Sequence, residues 1–448
     1  MLDTAPLAIV HSGPDDAQDS YPSGSSLVTQ LQEAQASGRL DDAQRAWLSL
    51  LARTGCGGGS QGEGRSVADE EPSSSGASGG RGVEHADHAC RLAQARLLIG
   101  GEPGGVRDAA AQSMLGAGGL DVRGLSRVAS ANAYGCSSQD PGLVAAGRAP
   151  ALPGGLVAIY PLFSLLNHSC SPNAACVVEG GAMAVRAGCG IAAGEQLTVS
   201  YLGPRLMAPV DARRAHLERT YGFVCGCDRC AFEAGLPPSL ADFVAQAALT
   251  GEQLAAASGE AHAKKDANTA SYVDRMLVET RAELHARAAR VRLGNGWASP
   301  GIVDEPGVSL LQLSWLECSL WTLTRLQLDA CGGDLDPEQV ASAREAVEVT
   351  APGSDLHASL AARELLAAAS LARVARGRRE RASAQGALRA AAEAVGDAYG
   401  ARYGDACTAG EGMAAALCGN LLARGVGAAA ADWCVEQATR ALAVEEGA

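Results

Sequence analysis

Three cysteines near the middle of the chain have the spacing of metal ligands. Cys225, Cys227 and Cys230 form a C-x-C-x-x-C pattern, which is tight enough for one tetrahedral ion to contact all three sulfurs. A closed structural zinc site takes four ligands. The pattern therefore predicts a zinc ion whose fourth ligand comes from another part of the chain.

The fourth ligand is best sought upstream. Cys170 lies in the segment NHSCSPN, whose asparagine and histidine side chains form a polar knot that needs an anchor. Cys176 and Cys189 are alternatives, although both lie in or beside apolar runs that are typical of strands. The remaining possibility is four free thiols, which closely spaced cysteines of this pattern do not favour.

Three motifs in this order resemble the C-terminal half of a SET domain followed by its post-SET zinc loop. They are NHSCSPN at 167–173, GEQLTVSYL at 194–202 and the cysteine pattern at 225–230. The segments YPLFSLL at 160–166 and DARRAHLERTYGFVCGCDRC at 211–230 are similar to the SET and MYND domain (SMYD) lysine methyltransferases in particular. The resemblance covers about a hundred residues and implies S-adenosylmethionine as cofactor.

Methyl transfer to an amine is an in-line displacement, so the protein must align donor and acceptor and exclude water. A phenol and backbone carbonyls can hold the polarised methyl group through weak C–H···O contacts. The resemblance implies that Tyr201 supplies this phenol and that Tyr134 lines the channel for the target lysine. The residues that it implies for cofactor binding are Asn132, Ser164, Asn167, His168 and Phe223.

The sequence departs from this family in its first part. We identify neither the Gly-rich strand motif that supports the cofactor nor the Cys/His-rich MYND module, and the one cysteine before His85 is Cys56. We therefore expect the chain to begin within the helical insert, without the MYND finger and the N-terminal SET strands. The alternative function is a non-catalytic interaction protein, in which a zinc-stapled SET remnant and a helical tail bind a partner.

The elements around these motifs predict an α+β fold. We expect a SET-type β core with a post-SET zinc loop, followed by an all-α C-terminal domain of stacked helix pairs that weakly resembles tetratricopeptide repeats. The predicted segments are a disordered tail at 1–25, a helical insert at 26–130 with a low-complexity loop at 54–83, the SET core and zinc motif at 131–234, and the helical domain at 235–448.

Local patterns place individual elements within that scheme. Leu156–Tyr160 is predicted to be a strand, and Gly180-Gly181 is predicted to join two strands in a tight hairpin. Alternation in Gln196–Leu202 predicts another strand, with Leu197, Val199 and Tyr201 on one face. Predicted helix starts are the possible capping box of Asp41 and Gln44, Asp336-Pro337 and Ser354-Asp355.

The composition limits the partners. The net charge of −14 and the isoelectric point near 5.1 argue against direct nucleic-acid binding and favour a basic, lysine-containing protein segment as substrate. Fourteen cysteines, several spaced as ligands, indicate a reducing compartment. Because no apolar run approaches the length of a membrane span, we expect a protein of the cytoplasm or nucleus that does not bind membranes.

Overall fold

The structure is a computed structural model. It describes residues 2–4, 6–11, 24–54, 120–136, 139–149, 155–258, 267–291, 308–331 and 336–443. The predicted low-complexity loop lies outside these residues, apart from its first position, Thr54.

The described residues form eight strands and fifteen α-helices. The strands are β1 (Leu2–Thr4), β2 (Ala8–His11), β3 (Ala133–Cys136), β4 (Leu156–Ile159), β5 (Asn167–His168), β6 (Ala174–Glu179), β7 (Ala182–Ala187) and β8 (Thr198–Val199). The first six helices are α1 (Gly24–Ala36), α2 (Asp42–Thr54), α3 (Val122–Asn132), α4 (Pro141–Ala145), α5 (Val210–Tyr221) and α6 (Asp228–Ala234). The C-terminal helices are α7 (Pro238–Ser258), α8 (Ala267–Ala288), α9 (Leu310–Cys318), α10 (Trp321–Cys331), α11 (Pro337–Thr350), α12 (Asp355–Val374), α13 (Arg378–Tyr403), α14 (Gly410–Ala423) and α15 (Ala428–Ala443).

The strands of the described residues form three small sheets, in the orders β1-β7-β6, β2-β4-β3 and β5-β8. The first two are antiparallel, whereas the short β5–β8 pair is parallel. After β8 the described chain contains helices and no further strand. This arrangement agrees with the predicted small β core and helical C-terminal part.

Residues 2–4 and 8–11 form strands, which corrects the predicted disordered tail at these positions, whereas 12–23 lie outside the described residues. β1 pairs with β7, Leu2 opposite Val185, and β2 pairs with β4, Ala8 opposite Ile159. Two short strands of the N-terminal segment thus belong to the β core. Neither strand contains glycine, so they do not supply the Gly-rich motif.

The hairpin prediction is confirmed. β6 and β7 are joined by Gly180 and Gly181, which have φ values of 58° and 89°. Positive φ at both central positions defines a type I′ turn, whose twist matches that of the flanking strands. A side chain at either position would strain this turn.

The strand predicted at Gln196–Leu202 is shorter than expected. Only Thr198–Val199 is paired, opposite Asn167–His168, because its partner β5 has two residues. Val199 is buried, while Leu197 is 40% exposed, so the predicted common face is not formed. Tyr201 therefore follows the strand and is positioned by side-chain contacts rather than by the sheet.

The predicted helix starts are confirmed at three places. Asp41 and Gln44 exchange side-chain and backbone hydrogen bonds of 2.7 and 3.0 Å at the start of α2, which is a capping box. Asp336 caps α11, and Ser354 caps α12. Each cap satisfies amide groups that the first helical turn leaves without partners.

The C-terminal helices share a hydrophobic cluster with the β hairpin. Val177 of β6 and Ala184 of β7 are buried against residues of α12, α13, α14 and α15, among them Leu365 and Tyr399. The hairpin is thus packed between the other strands and the helical layer. The domain boundary at 234/235 stays a prediction.

A second contact between the two parts is polar and close. The Asp140 carboxylate accepts hydrogen bonds from Arg402, at 2.6 and 3.0 Å, and from the Tyr403 hydroxyl, at 2.9 Å. A Cβ atom added to Gly419 of α14 would lie 2.3 Å from the Pro141 carbonyl oxygen of α4. The backbones approach so closely that only glycine fits at this position.

We predict that stability decreases below pH 6.5 because of His357. This side chain is buried, and its Nδ1 accepts the Gly353 amide at 3.1 Å. Burial, together with the Arg344 guanidinium, lowers its pKa from 6.5 to about 4, although Glu348 lies 4.0 Å from Nε2. Between these values the unfolded chain binds a proton that the folded chain does not. The contribution of His357 to the free energy of unfolding is therefore fully present above pH 6.5. It decreases by up to about 3 kcal/mol as the pH falls towards 4.

Urea denaturation of wild type and of His357→Gln between pH 7.5 and 5 measures this effect. Glutamine can still accept the Gly353 amide but does not titrate, so the variant should lose less stability over this range. Equal pH dependence of the two proteins would contradict the prediction.

Among the described helices, none combines the length and the apolarity that crossing a membrane requires.

Candidate active site and metal centre

Four thiols meet in the interior. The Sγ atoms of Cys170, Cys225, Cys227 and Cys230 all lie within 4.8 Å of one another. The Sγ atoms of Cys170 and Cys230 are 3.5 Å apart, and those of Cys170 and Cys225 are 4.0 Å apart. Cys176 and Cys189, the alternatives for the fourth position, do not belong to this group.

Three segments bring these sulfurs together. Cys170 follows β5, and Cys225 comes shortly after Gly222, which ends α5 in the left-handed conformation with φ of 76°. Cys227 is the N-cap of α6, and Cys230 lies in its first turn. The Cys170 amide also donates to the Cys227 sulfur at 3.4 Å.

The geometry and chemistry of the group fit a zinc ion. Four sulfurs about 2.3 Å from a tetrahedral zinc are about 3.8 Å apart, close to the separations observed here. Hydrogen bonds with the thiols of Cys225, Cys227 and Cys230 raise the pKa of Cys170, whereas those from Cys170, Cys225 and Cys230 lower the pKa of Cys227 well below its usual range. The four thiols thus hold their protons unequally, and zinc, which binds thiolates, would displace these protons on binding.

Tyr201 is held at both ends. Its amide donates to Nδ1 of His168 at 3.0 Å, and its hydroxyl donates to the Leu166 carbonyl oxygen. Burial, with a smaller contribution from Tyr221, raises its pKa to about 12. The phenol therefore keeps its proton at neutral pH, and its oxygen can still accept weak contacts from C–H groups.

His168 links Tyr201 to the thiols. Because Nδ1 accepts the Tyr201 amide, the ring proton lies on Nε2, which is 3.2 Å from the Cys170 sulfur. Burial lowers the pKa of His168 to about 4, so the ring is neutral. Both nitrogens are engaged, which leaves the ring face and the main chain for any contact with a cofactor.

Aromatic rings surround this histidine. The ring centre of His168 lies 5.3 Å from that of Tyr201 and 6.2 Å from that of Phe223. Tyr221, which the sequence analysis did not select, lies 5.2 Å from Tyr201 and is 38% exposed. The signal for it was the Y-G-F order, since Gly222 turns the chain so that the flanking rings lie 6.5 Å apart.

The other predicted residues form a second group. Asn132 is buried at the end of α3, where its side chain donates to the Val128 carbonyl at 3.0 Å. The Ser164 hydroxyl lies 3.3 Å from the Asn132 carbonyl oxygen and 2.9 Å from that of Tyr160. Tyr134 packs edge-on against Tyr160 and Phe163, with ring centres 6.4 and 5.6 Å away.

The two groups meet along one hydrophobic cluster. Tyr134 and Tyr201 both pack against a cluster formed by buried residues of β4, β6 and β7 and by Tyr160, which follows β4. Asn167 is exposed beside His168. The structure thus brings the predicted phenol, the NHSC segment and the thiols into one region, with Tyr134, Asn132 and Ser164 on its other flank.

Comparison with known proteins identifies the motif-bearing region. The SET domain family model matches residues 83–202, of which 83–119 lie outside the described residues. Histone-lysine N-methyltransferase SET5 of Eremothecium gossypii is 49% identical over 72 residues, 16% of this chain and 14% of that protein. Histone-lysine N-methyltransferase SMYD3 of Mus musculus is 45% identical over 74 residues, 16% of this chain and 17% of that protein.

A SET and MYND domain-containing protein of Dictyostelium discoideum is 40% identical over 74 residues, 16% of this chain and 19% of that protein. The chain thus spans less than a fifth of the length of these curated relatives.

Proposed function

We propose that this chain, which carries a SET domain of the kind found in SET and MYND domain proteins, is a protein-lysine N-methyltransferase that uses S-adenosylmethionine. The observation that carries the proposal is the position of Tyr201. A protonated phenol, fixed through His168 and Leu166, lies where the NHSC segment meets the aromatic rings. Such a group suits a reaction that needs an oriented oxygen and no proton acceptor.

The cofactor supplies a methyl group on a positively charged sulfur. This methyl group would pass to the lone pair of a lysine Nζ, and the electron pair of the C–S bond would stay with the sulfur. Tyr201 would orient the methyl group through its hydroxyl oxygen and adjacent carbonyls. The lysine must arrive neutral, because an ammonium has no lone pair to donate.

The remaining residues have proposed binding roles. Asn167 and the main chain of His168 bind the amino-acid end of the cofactor, with Asn132 and Ser164 beside them, and Phe223 packs over the adenine or the donor channel. Tyr134 lines the lysine channel. The hydrophobic rings around this region exclude water, which strengthens the polar contacts made there.

We also propose one zinc ion, bound by Cys170, Cys225, Cys227 and Cys230. With four protein ligands the site is closed and structural. The ion would fasten the end of α5 and the following loop with Phe223 onto the NHSC segment, and through the His168–Cys170 contact it would also support Tyr201.

The proposed substrate is a histone or another protein with a basic, lysine-containing segment in the cytoplasm or nucleus. The acidic balance of the chain, −14 overall, favours such a segment. We propose that the helical layer forms one wall of the cleft. Its Trp315 donates from the indole nitrogen to the Ser171 hydroxyl at 3.3 Å, next to the NHSC segment.

The experiment is a calorimetric titration of the full chain with S-adenosylmethionine, followed by radiolabelled methyl transfer to mixed basic proteins. Binding with transfer to lysine supports the enzyme. If the chain neither binds S-adenosylmethionine nor transfers methyl groups, the result would favour the non-catalytic interaction protein.

A further inference from the structure

Three ionised side chains next to the thiols have no role in the proposed methyl transfer. They are Arg213 of α5 and Arg229 and Glu233 of α6, referred to below as the charge trio. Both arginine side chains are 0% exposed, and that of Glu233 is 4% exposed. Burying charged groups is unfavourable unless they are paired.

Pairing within the charge trio is incomplete. Arg213 contacts one oxygen of Glu233 at 3.0 Å, and Arg229 contacts the other at 2.7 Å. One carboxylate offsets the charge of one guanidinium, so the trio retains one net positive charge in the interior. Within the described residues, Nε of Arg213 and one terminal nitrogen of Arg229 have no hydrogen-bond partner.

The excess charge lies against the sulfurs. A terminal nitrogen of Arg213 is 3.5 Å from the Cys230 Sγ, and Arg229 donates to the Cys170 carbonyl oxygen at 3.1 Å. Four neutral thiols would leave this charge uncompensated. A divalent ion bound by four thiolates carries two negative charges, and at such distances in the interior its attraction to the trio is strong.

We propose that the charge trio is the built-in counter-charge of the thiolate–metal centre, with Arg213 as the residue that acts on the sulfur. Arg229 and Glu233 are positioning residues, because they fix the guanidinium of Arg213 and the Cys170 carbonyl. The proposal rests on the zinc centre proposed above. It assigns to the buried arginines a contribution to metal affinity, separate from their packing.

Arg214 contacts the backbone of the same loop and so differs from Arg213, which contacts a sulfur. This half-buried neighbour donates to the backbone carbonyls of Cys225, at 3.0 Å, and of Cys230, at 3.3 Å. It fastens the loop through these backbone carbonyls rather than through a sulfur. Arg219, exposed on the same helix, has the same charge at a distance from the thiols and serves as a matched control.

The test measures zinc affinity of the full chain by competition with a chromophoric chelator. Arg213→Met keeps much of the side-chain volume and removes the charge, and it should weaken zinc binding by about 10- to 100-fold, as other supporting residues of metal sites do. Arg213→Lys should bind zinc more tightly than Arg213→Met, and Arg219→Met should match wild type. Circular dichroism of each zinc-loaded protein checks the fold.

Glu233→Gln tests whether zinc affinity follows the net charge of the charge trio. It also keeps the proposal testable if Arg213→Met does not fold. Glutamine keeps a side-chain oxygen that can hold the Arg213 guanidinium and removes the negative charge, so the net positive charge increases and zinc affinity should stay equal or increase. If Glu233→Gln weakened zinc binding as much as Arg213→Met, packing alone would explain the effect of both variants. Unchanged zinc affinity in a folded Arg213→Met would also contradict the proposed counter-charge. Wild type without zinc would instead refute the metal centre itself.

Discussion

Replacing Tyr201 with phenylalanine should lower the rate of methyl transfer by at least about 100-fold, the scale seen when one polar group that stabilises a transition state is removed. The ring would still pack against His168 and Tyr221. Only the hydroxyl oxygen that orients the methyl group is lost. The loss should appear in kcat as well as in kcat/KM, because the contact is made in the transition state.

The folded structure should tolerate this change. The Tyr201 hydroxyl donates to one backbone carbonyl, that of Leu166, and such a bond contributes about 1 kcal/mol to stability. Tyr160→Phe is the matched control. Its hydroxyl donates to the Gly181 carbonyl at 3.0 Å, so this variant should lose a similar amount of stability and keep its activity.

Single-turnover transfer of labelled methyl groups, measured beside urea denaturation, separates the two roles. If Tyr201→Phe retained full activity while losing about 1 kcal/mol, Tyr201 would be a core residue and the proposed mechanism would be wrong. If Tyr160→Phe lost activity equally, the effect would come from the shared hydrophobic cluster rather than from the phenol.

Local spacing predicted part of this site well. C-x-C-x-x-C places three sulfurs within one loop and the first turn of a helix, so their proximity hardly depends on the rest of the fold. The hairpin at Gly180-Gly181 is equally local, because the turn dictates its own conformation. The polar NHSCSPN segment added Cys170, and the family resemblance added Tyr201; the surroundings of both are formed by segments far apart in sequence.

Elsewhere the structure depends on pairing between distant segments, which local sequence patterns do not predict. Leu2–Thr4 becomes a strand only because β7, some 180 residues later, provides an edge, and three residues show no periodicity of their own. Gln196–Leu202 alternates as a strand should, yet β5 pairs with only two of its residues. Arg213 was missed because an arginine among charged helix residues normally indicates a solvent-exposed face. Its burial follows from α6 and the thiols packing over α5.

Removal of the zinc should cause the largest change in the folded structure. Binding energy at a closed four-thiolate site is folding energy, of the order of 10 kcal/mol in small zinc modules. Without the ion, the contacts among the described residues that join the Cys225–Cys230 loop to Cys170 are hydrogen bonds, such as those from the Cys170 amide to the Cys227 sulfur and from Arg229 to the Cys170 carbonyl oxygen. We expect one zinc per chain in freshly purified protein. Cys227→Ser should lose this zinc. Cys189→Ser should retain it, because Cys189 is exposed and lies outside the group of four thiols.

Hydrogen exchange of the chelator-treated protein shows where the structure loosens. Amides around Phe223 and the start of α6 should lose protection, while the core of α13 and α14, which packs in another hydrophobic cluster, should keep it. Because His168 contacts Cys170 at 3.2 Å and holds the Tyr201 amide, affinity for S-adenosylmethionine should fall in the same samples. A freshly purified protein without zinc would contradict the centre, and unchanged exchange around Phe223 after zinc removal would show that protein packing alone holds the loop.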